Sequence, residues 1–539
     1  MSHLDDSCRQ LGSAIPNATG QAAGGDVGRA PRVRAWLPAI VIVAGIGYSL
    51  FLLSHVRDEV FYSGDGGLKA LLVKQFSDGR VSDALDLPAE PWVKDLWDEG
   101  LYPFGPPFVY DLARGRVVAF PLLFVLLTTP FYQLLGVVGL YVVPVVSLWL
   151  LWLRLGSVAR RLGVPPGVTA AALGVLVFAT PLTLYGAMFW EHTLGVLLTF
   201  CGVDFLLTTA WSKRPMVVAL AWGALAGLSV WVRSELICLV GALAALGAVR
   251  AIRDRERRAG WFVLGLTLAV GTLWGINTLL YGHPFGMHGF QVVGETVASL
   301  GERGYWPLLV GLAIHMPVVV FAPLFLLRAL QIEDPGEGGR VRRLVFLAAF
   351  FFLAAPWVIP NMGGKQWGPR YLLVLAPLAC LLGALLLAAA LRTRRGPERY
   401  GTIAVFVAAL LFGGYVNTYA GSLNLAQDYR LRVRPALDFL RQSDQQFVAV
   451  RRQWIVQELE AALERKTFFW VRDDRQFEAL SIRLHEHGCS SFLLIAEADE
   501  RPPAQVVFDS PASPLAGITI TPLGPHGAYY FYGVEALAR

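Results

Sequence analysis

Charged residues are scarce in this sequence: they make up only 16% of its 539 residues, against about 25% in an ordinary soluble domain. Hydrophobic residues make up 55%, and the mean hydropathy is +0.51. So little polar surface excludes an intrinsically disordered chain and a soluble nucleic-acid-binding protein. The composition therefore predicts a protein that crosses a lipid bilayer many times and has no nucleic-acid partner.

Cysteine is also scarce. The five cysteines are Cys8, Cys201, Cys238, Cys380 and Cys489. No two of them have the CxxC spacing of a zinc site, and three lie inside apolar runs, where a thiol behaves as a small hydrophobic side chain. The scarcity excludes a secreted scaffold held together by disulfides, and the spacing favours no metal centre.

The positive charge is unevenly distributed along the chain. Residues 420–539 contain 13 Lys and Arg and 15 Asp and Glu, so their net charge is −2. Because the net charge of the whole chain is +6, the preceding residues carry a net charge of +8. Twelve apolar runs could each form a span. The clusters of basic residues between the runs fall on one side of the membrane only if the run at 118–136 lies flat in the interface. The positive-inside rule then predicts eleven spans, with the N-terminus in the cytoplasm and the C-terminus outside.

This topology divides the chain into three parts. Residues 1–34 are predicted to be a cytoplasmic tail, residues 35–420 an all-α polytopic membrane domain, and residues 421–539 a small extracytoplasmic α/β domain. The membrane domain includes an acidic first outer loop at 55–117 and the interfacial helix at 118–136. The aromatic residues of this loop, which either anchor it in the interface or have another role, are Phe61, Tyr62, Trp92, Trp97, Tyr102 and Phe104.

Residues 421–539 alternate between β-rich and helical patterns. Strands are predicted at 447–450, 468–471, 491–496, 518–521 and 529–532, and helices at 453–464 and 474–487. No glycine-rich phosphate loop and no catalytic triad signature occurs there. His485 and His487 are two positions apart on a predicted helix, so they do not share a face, and a metal site is not favoured.

Four groups of ionisable residues lie in loops predicted to share the outer face, and charges at the membrane boundary mark candidate functional sites. The first group centres on Asp65, between the glycines that follow Ser63. A carboxylate with little water around it can take a proton from an attacking hydroxyl group. An equally good interpretation is that Asp65 caps the helix predicted from Leu68 to Phe76.

The second and third groups interrupt apolar sequence at turns between spans. Glu191 and His192 lie in one turn, and Arg233 and Glu235 lie in the other. Each pair has a structural interpretation, as residues that are hydrogen-bonded or ion-paired inside the protein. Each also has a functional interpretation of equal weight, as a contact to substrate, and Arg233 in particular suits an anion.

The fourth group lies in the glycine-rich loop that ends at Tyr371. Lys365 and Arg370 stand beside glycines, which let a ligand approach the backbone closely. Two cations at the depth of the lipid headgroups suit a phosphate or a pyrophosphate.

The order and common sidedness of these groups resemble the membrane glycosyltransferases of the GT-C superfamily. The segment from Tyr62 to Asp65 (YSGD) resembles their acidic motif in the first outer loop. The segment from Gly368 to Leu372 (GPRYL) resembles the motif that begins one of their late helices. The resemblance covers roughly residues 36–420, and the most similar type is the bacterial group of aminoarabinose transferases, protein O-mannosyltransferases and RgtA/B/C/D-like enzymes.

The resemblance implies an inverting enzyme that moves a sugar from a polyprenyl-phosphate carrier to an acceptor on the outer side of the bacterial inner membrane. Asp65 would be the general base, and Lys365 and Arg370 would hold the phosphate of the departing lipid. The other residues assigned to the substrate cavity are Glu59, Glu191, His192, Arg233, Glu235 and Tyr371. No cofactor is implied. A divalent metal, which oligosaccharyltransferases of this superfamily use, is not favoured, because no second cluster of carboxylates accompanies Asp65.

Two other classes of function are alternatives. A transporter or flippase for lipids or glycans also buries arginine and glutamate among its spans, but no duplicated half is detectable in the sequence. A scaffold protein with a sensing outer domain would need no carboxylate in the first outer loop. The predicted partners are therefore a polyprenyl-phosphate-linked sugar, the lipid bilayer, and an acceptor that is a lipid, a glycan or a protein.

Overall fold

The computed structural model describes residues 33–56, 60–208, 215–287, 289, 304–320, 335–359, 364–392, 396–497 and 518–536. The first helices along the chain are α1 (Val33–Leu53), α2 (Gly64–Ser77), α3 (Pro91–Leu96), α4 (Leu122–Leu135), α5 (Val142–Arg161), α6 (Pro166–Phe178), α7 (Leu182–Gly186) and α8 (His192–Leu207). The next are α9 (Met216–Val232), α10 (Ile237–Arg253), α11 (Arg257–Tyr281), α12 (Trp306–His315), α13 (Pro317–Val320), α14 (Pro335–Ala354), α15 (Leu375–Arg392) and α16 (Pro397–Gly414).

Many of these helices can cross a membrane. Six stretches of the described residues are long and apolar enough: Ala35–Leu53, Leu122–Arg161, Ser234–Arg253, Arg257–Tyr281, Leu375–Arg392 and Arg399–Gln442. Shorter apolar helices are Pro166–Phe178, His192–Leu207, Met216–Val232 and Trp306–His315. Apolar sequence forms helices here because, in hydrocarbon, each backbone amide must find its partner within its own segment. The chain is therefore a multipass membrane protein, as its composition predicted.

The first outer loop is compactly folded. After α2 and α3, the strands β1 (Val109–Leu112) and β2 (Gly115–Val118) form an antiparallel hairpin. Because residues 115–118 pair as a strand, the helix predicted at 118–136 begins only at Leu122, and this helix, α4, packs against α2. Five of the aromatic residues that the sequence singles out in this loop are buried in the core and do not anchor it in the interface: Phe61, Tyr62, Trp97, Tyr102 and Phe104.

The membrane domain continues into the tail through a helix. The stretch from α16 onward runs through α17 (Ser422–Gln427) and α18 (Arg434–Gln442), with π-helical turns at 415–421 and 428–433. It crosses residue 420, where the sequence predicts that the membrane domain ends. The tail is therefore connected to the membrane helices by continuous helical backbone and not by an extended linker.

A small α/β unit completes the tail. Its strands are β3 (Phe447–Val450), β4 (Thr467–Trp470), β5 (Ser491–Glu497), β6 (Ile518–His526) and β7 (Tyr529–Ala536), in the order β4-β3-β5-β7-β6. β3 is parallel to β4 and β5, and β7 is antiparallel to β5 and β6. The helices α19 (Gln453–Glu458) and α20 (Asp474–Glu486) follow β3 and β4. The five strands predicted from the sequence are confirmed, and the last two extend further than predicted because they pair as a hairpin.

Candidate active site

A cavity of about 470 Å³ lies between the first outer loop, the ends of α4, α9 and α11, and the glycine-rich loop before α15. Six of the nine predicted site residues line it: Asp65, Glu191, Arg233, Glu235, Arg370 and Tyr371. They come from four separate parts of the sequence. The fold therefore gathers most of the predicted residues at one end of the helical domain.

Asp65 lies in the first turn of α2, beside the cavity. The Ser63 hydroxyl caps this helix by accepting a hydrogen bond from the backbone amide of Asp65, at 3.4 Å. The interpretation of Asp65 as the helix cap is therefore wrong, because Ser63 has that role. Oδ2 of Asp65 accepts a hydrogen bond from Nη1 of Arg370 at 3.1 Å, and the two side chains are 17% and 10% exposed.

Arg370 is also held by aromatic neighbours. Its Nη2 donates to the Tyr371 hydroxyl at 3.0 Å, and its guanidinium carbon lies 5.4 Å from the centre of the Trp190 ring. Its Nε has no hydrogen-bond partner among the described residues. The turn before it needs glycine at Gly368, where φ is +72° and a Cβ would lie 2.8 Å from the His315 side chain. The loop therefore fixes the arginine and leaves it a donor for a further acceptor.

Glu191 is the centre of a second ionic group on the cavity wall. Its Oε2 accepts a hydrogen bond from Lys69 Nζ at 2.5 Å, and its Oε1 accepts one from Arg233 Nη1 at 3.1 Å. The Glu191 and Lys69 side chains are each only 2% exposed. Arg233 also pairs with Glu235 at 2.7 Å, so the ionic pair predicted within that turn is confirmed.

The charge of Glu191 is set by its two cationic partners. Burial alone would raise the pKa of Glu191, but the charges of Lys69 and Arg233 outweigh it and hold the pKa at about 2. A carboxylate with so low a pKa is a weak proton acceptor. Glu191 thus holds Lys69 and Arg233 together on the cavity wall.

Lys365 belongs to a neighbouring ionic group that the glycine-rich loop shares with the tail. Its Nζ donates to Oδ1 of Asp428 and lies 4.5 Å from the centre of the Tyr62 ring. Arg432 extends the group, with Nη2 at 3.4 Å from Oε2 of Glu458. Burial lowers the pKa of Lys365, against the charges of Glu458 and Asp428, which raise it. The two predicted phosphate ligands are thus separated: Arg370 lines the cavity, and Lys365 joins the loop to the tail.

Besides Lys365, two predicted site residues are not placed on the cavity. His192 is buried, with its ring 5.1 Å from the Trp190 ring and 5.0 Å from the Tyr185 ring, and it does not line the cavity. Neither of its ring nitrogens has a hydrogen-bond partner among the described residues. Glu59 lies outside the described residues.

Four ionisable residues of these groups were not predicted: Lys69, Asp428, Arg432 and Glu458. Lys69 does have a signal in the sequence, because it lies four positions after Asp65 and so shares its face of α2. Asp428 and Glu458 lie in a stretch of ordinary polar composition. They reach the glycine-rich loop only through tertiary packing, which no local pattern reports.

The other end of the cavity is apolar. Its lining from α4, α9, α11 and the turn after α11 includes Leu122, Leu123, Leu126, Trp231, Leu273, Trp274, Ile276, Leu280 and Phe285. Leu126 and Leu280 are each 46% exposed, so this wall continues onto the outer surface of the helices. The cavity therefore joins a charged end to an apolar end that opens onto the surface of the helices.

No group of three or more His, Cys, Asp and Glu side chains in the described part of the chain is arranged to hold a metal ion. At the charged end, Asp65, Glu191 and Glu235 are each paired with an arginine or a lysine. Such a set of donors does not suit a divalent cation, which needs several oxygen or nitrogen ligands without competing positive charge.

Two solved structures similar to this chain are those of ArnT from Cupriavidus metallidurans, one bound to undecaprenyl phosphate and one in the apo state. Their TM-scores are 0.50 and 0.51 and their sequence identities 11% and 13%, and each match covers 92% of this chain and 97% of the ArnT chain. No protein-family model matches the chain, and no curated protein matches it by sequence. The chain therefore shares the fold of these two ArnT structures, as the resemblance of its motifs predicted.

Proposed function

We propose that this protein is an inverting glycosyltransferase that moves a sugar from a polyprenyl-phosphate carrier to a lipid, glycan or protein acceptor. The observation that carries the proposal is that one cavity combines a carboxylate paired with an arginine and a long apolar wall. A lipid-linked sugar phosphate has matching parts, namely a phosphate and a hydrocarbon chain. The presence of undecaprenyl phosphate in the similar ArnT structure supports this class of donor.

The donor phosphate would bind at Arg370. A guanidinium group presents a planar fork of donors that matches phosphate oxygens, and Nε of Arg370 has no partner of its own among the described residues. Arg233 adds a second positive charge to the cavity lining. Lys365, on the same loop as Arg370, is paired with Asp428 of the tail and would help to hold that loop in place.

The polyprenyl chain would lie along the apolar wall. Leu126 of α4 and Leu280 of α11 mark where this wall reaches the lipid-facing surface. A donor could thus enter from the bilayer with its hydrocarbon still out of water, so no apolar surface need be exposed during binding.

The reaction would be a single displacement. The acceptor hydroxyl attacks the anomeric carbon from the face opposite the phosphate, and Asp65 takes the hydroxyl proton as the new carbon–oxygen bond forms. The bond from the anomeric carbon to the phosphate oxygen breaks, and its electron pair leaves with the phosphate, where Arg370 stabilises the charge. The donor phosphate competes with Asp65 for Arg370, and this competition frees the carboxylate for the acceptor. One displacement inverts the anomeric configuration.

The cavity would face the outside of a bacterial inner membrane. The positive-inside rule supports a cytoplasmic N-terminus for residues 1–34 and an outer location for residues 421–539. The ion pair between Lys365 and Asp428 supports the same arrangement, because it requires the glycine-rich loop and the tail to lie on one side.

The proposed function can be tested with detergent-purified protein and a panel of polyprenyl-phosphate sugars. With a membrane extract as the source of acceptor, we expect release of free polyprenyl phosphate from at least one donor. No release from any donor by a folded protein, together with transport of a lipid-linked sugar in reconstituted vesicles, would favour the transporter alternative.

Replacing Arg370 by alanine tests the phosphate site. Loss of a charge-assisted contact is expected to weaken donor use by roughly 30- to 100-fold, with a much smaller effect on acceptor use. The measurement is the apparent KM for each substrate. Arg80→Ala is the matched control, because Arg80 is 48% exposed in the same outer region and away from the cavity. An unchanged apparent KM for the donor in Arg370→Ala would contradict the assignment.

A further inference from the structure

Helix α19 of the tail packs directly against the backbone at the beginning of α2. A Cβ added at Gly67 would lie 1.8 Å from the carbonyl oxygen of Gln457 in α19. A Cβ added at Gly64 would lie 2.5 Å from Oε1 and 2.8 Å from Cβ of Gln457. Real Cβ atoms do not approach other atoms this closely, so α19 can sit here only because both positions are glycine. The two glycines flank Asp65, and the contact therefore bears on the turn that carries the proposed base.

A second side chain of α19 reaches another wall of the cavity. Gln453, which is 5% exposed, accepts a hydrogen bond from the Gly105 amide at 2.8 Å and donates one to the Pro106 carbonyl at 2.9 Å. The next residues along the chain, Pro107 and Phe108, line the cavity. One short helix of the tail thus contacts both the first turn of α2 and the segment opposite it.

The tail also contacts α2 near the C-terminal end of that helix. Lys74 pairs with Glu460 at 2.7 Å and with Glu464 at 3.0 Å, and Glu460 is only 1% exposed. α2 is therefore held by the tail at its beginning and near its end.

We propose that α19 positions Asp65 for catalysis, so that the tail works as part of the active site and not as a separate acceptor-binding module. The backbone of α19 at Gln457 provides the positioning contact, because the Gln457 carbonyl lies against Gly67, whereas the Gln457 side chain only fills the space beside Gly64. The inference rests on the proposed function. It predicts that disturbing this contact lowers kcat and leaves donor binding unchanged, because Gln457 lies against the glycines of α2 and is not part of the cavity lining that would hold the donor.

The test uses one clashing substitution and its compensation in the tail. Gly64→Ala adds a methyl group against Gln457, and it introduces no backbone strain, because Gly64 is not in the left-handed region. We expect kcat to fall about tenfold, since small displacements of a catalytic group cost one to two orders of magnitude. Gln457→Gly in the same chain removes the clashing side chain, and we expect it to restore kcat to within about threefold of wild type. Gly241→Ala is the matched control, because no atom lies within 4 Å of the added methyl group.

Two further readouts separate positioning from general destabilisation. The dissociation constant for undecaprenyl phosphate should stay within about twofold of wild type in Gly64→Ala. Hydrogen exchange of the amides in 65–72 should become faster in Gly64→Ala and return to the wild-type rate in the double variant. A loss of kcat that Gln457→Gly does not restore, or unchanged hydrogen exchange in Gly64→Ala, would overturn the positioning role.

Failure of this inference can be told apart from failure of the proposed function. If wild type releases no polyprenyl phosphate from any donor, the proposed function fails. The positioning role then fails with it, even if hydrogen exchange shows that Gly64→Ala disturbs the contact with α19. If wild type turns over a donor and Gly64→Ala does so equally fast, only the positioning role fails.

Discussion

Asp65→Asn is expected to lower sugar transfer about 10³-fold, since a positioned general base contributes two to four orders of magnitude. Asparagine has nearly the same shape and can still accept the hydrogen bond from Arg370, so the fold of α2 should be kept. It cannot take the proton of the acceptor hydroxyl. The measurement is the rate of polyprenyl phosphate release by purified protein at saturating donor.

The matched control is Asp86→Asn. Asp86 lies in the same outer loop, is 63% exposed and pairs with Arg80 at 3.2 Å. Its replacement is expected to change the rate by less than about twofold, because an exposed ion pair contributes little. A transfer rate close to that of wild type in Asp65→Asn would contradict the assignment of Asp65 as the base. Loss of folded protein in Asp65→Asn alone would instead make Asp65 a structural residue.

Glu191→Gln is expected to lower the free energy of unfolding by about 3–5 kcal/mol. The substitution leaves Lys69 and Arg233 in a site where Lys69 is only 2% exposed, and a buried charge that loses its partner is strongly destabilising. The measurement is denaturant-induced unfolding in detergent, followed as a shift of the midpoint at constant slope.

The matched control for this prediction is Glu464→Gln. Glu464 pairs with Lys74 at 3.0 Å but is 59% exposed, so its loss is expected to cost less than about 1 kcal/mol. Equal destabilisation by the two variants would contradict the importance of burial at Glu191.

The difference in the free energy of unfolding between wild type and Glu191→Gln should also depend on pH. Because the pKa of Glu191 is lowered on folding, the difference is complete above about pH 4.5 and is lost as the pH falls towards 2.

Much of the fold could be predicted from the sequence because membrane and sheet elements leave local signals. Long apolar runs mark the helices, since the hydrocarbon requires each of them to satisfy its own backbone. The β-rich runs of the tail stand out between its helical stretches, and β3, β4 and β5 begin within one residue of where these runs begin. The hairpin of β1 and β2 left no comparable signal. It lies in a polar loop, and its second strand ends at Val118, where the predicted interfacial helix was expected to begin.

The candidate site was only partly predictable. Asp65 and Arg370 stood out because a charge at the membrane boundary is costly, and the structure pairs them across 305 residues. Lys365 stood out for the same reason, yet it turns away from the cavity to Asp428 of the tail. Lys69 was not predicted as a site residue, although its side chain is as deeply buried as that of Glu191. A charge in a helix that looks solvent-exposed in sequence shows its burial only when its partner is known.

Composition and periodicity established a multipass helical membrane protein with a small α/β tail, and the motifs around Asp65 and Arg370 pointed to the GT-C fold. Those properties depend on hydrophobic patterning and on short segments, which a linear sequence displays directly. Tertiary packing decided which charges meet in the cavity, which ones neutralise each other, and that Gln457 of the tail lies against Gly64 and Gly67. These contacts join residues hundreds of positions apart, and their energies depend on distances and burial that exist only after the chain has folded.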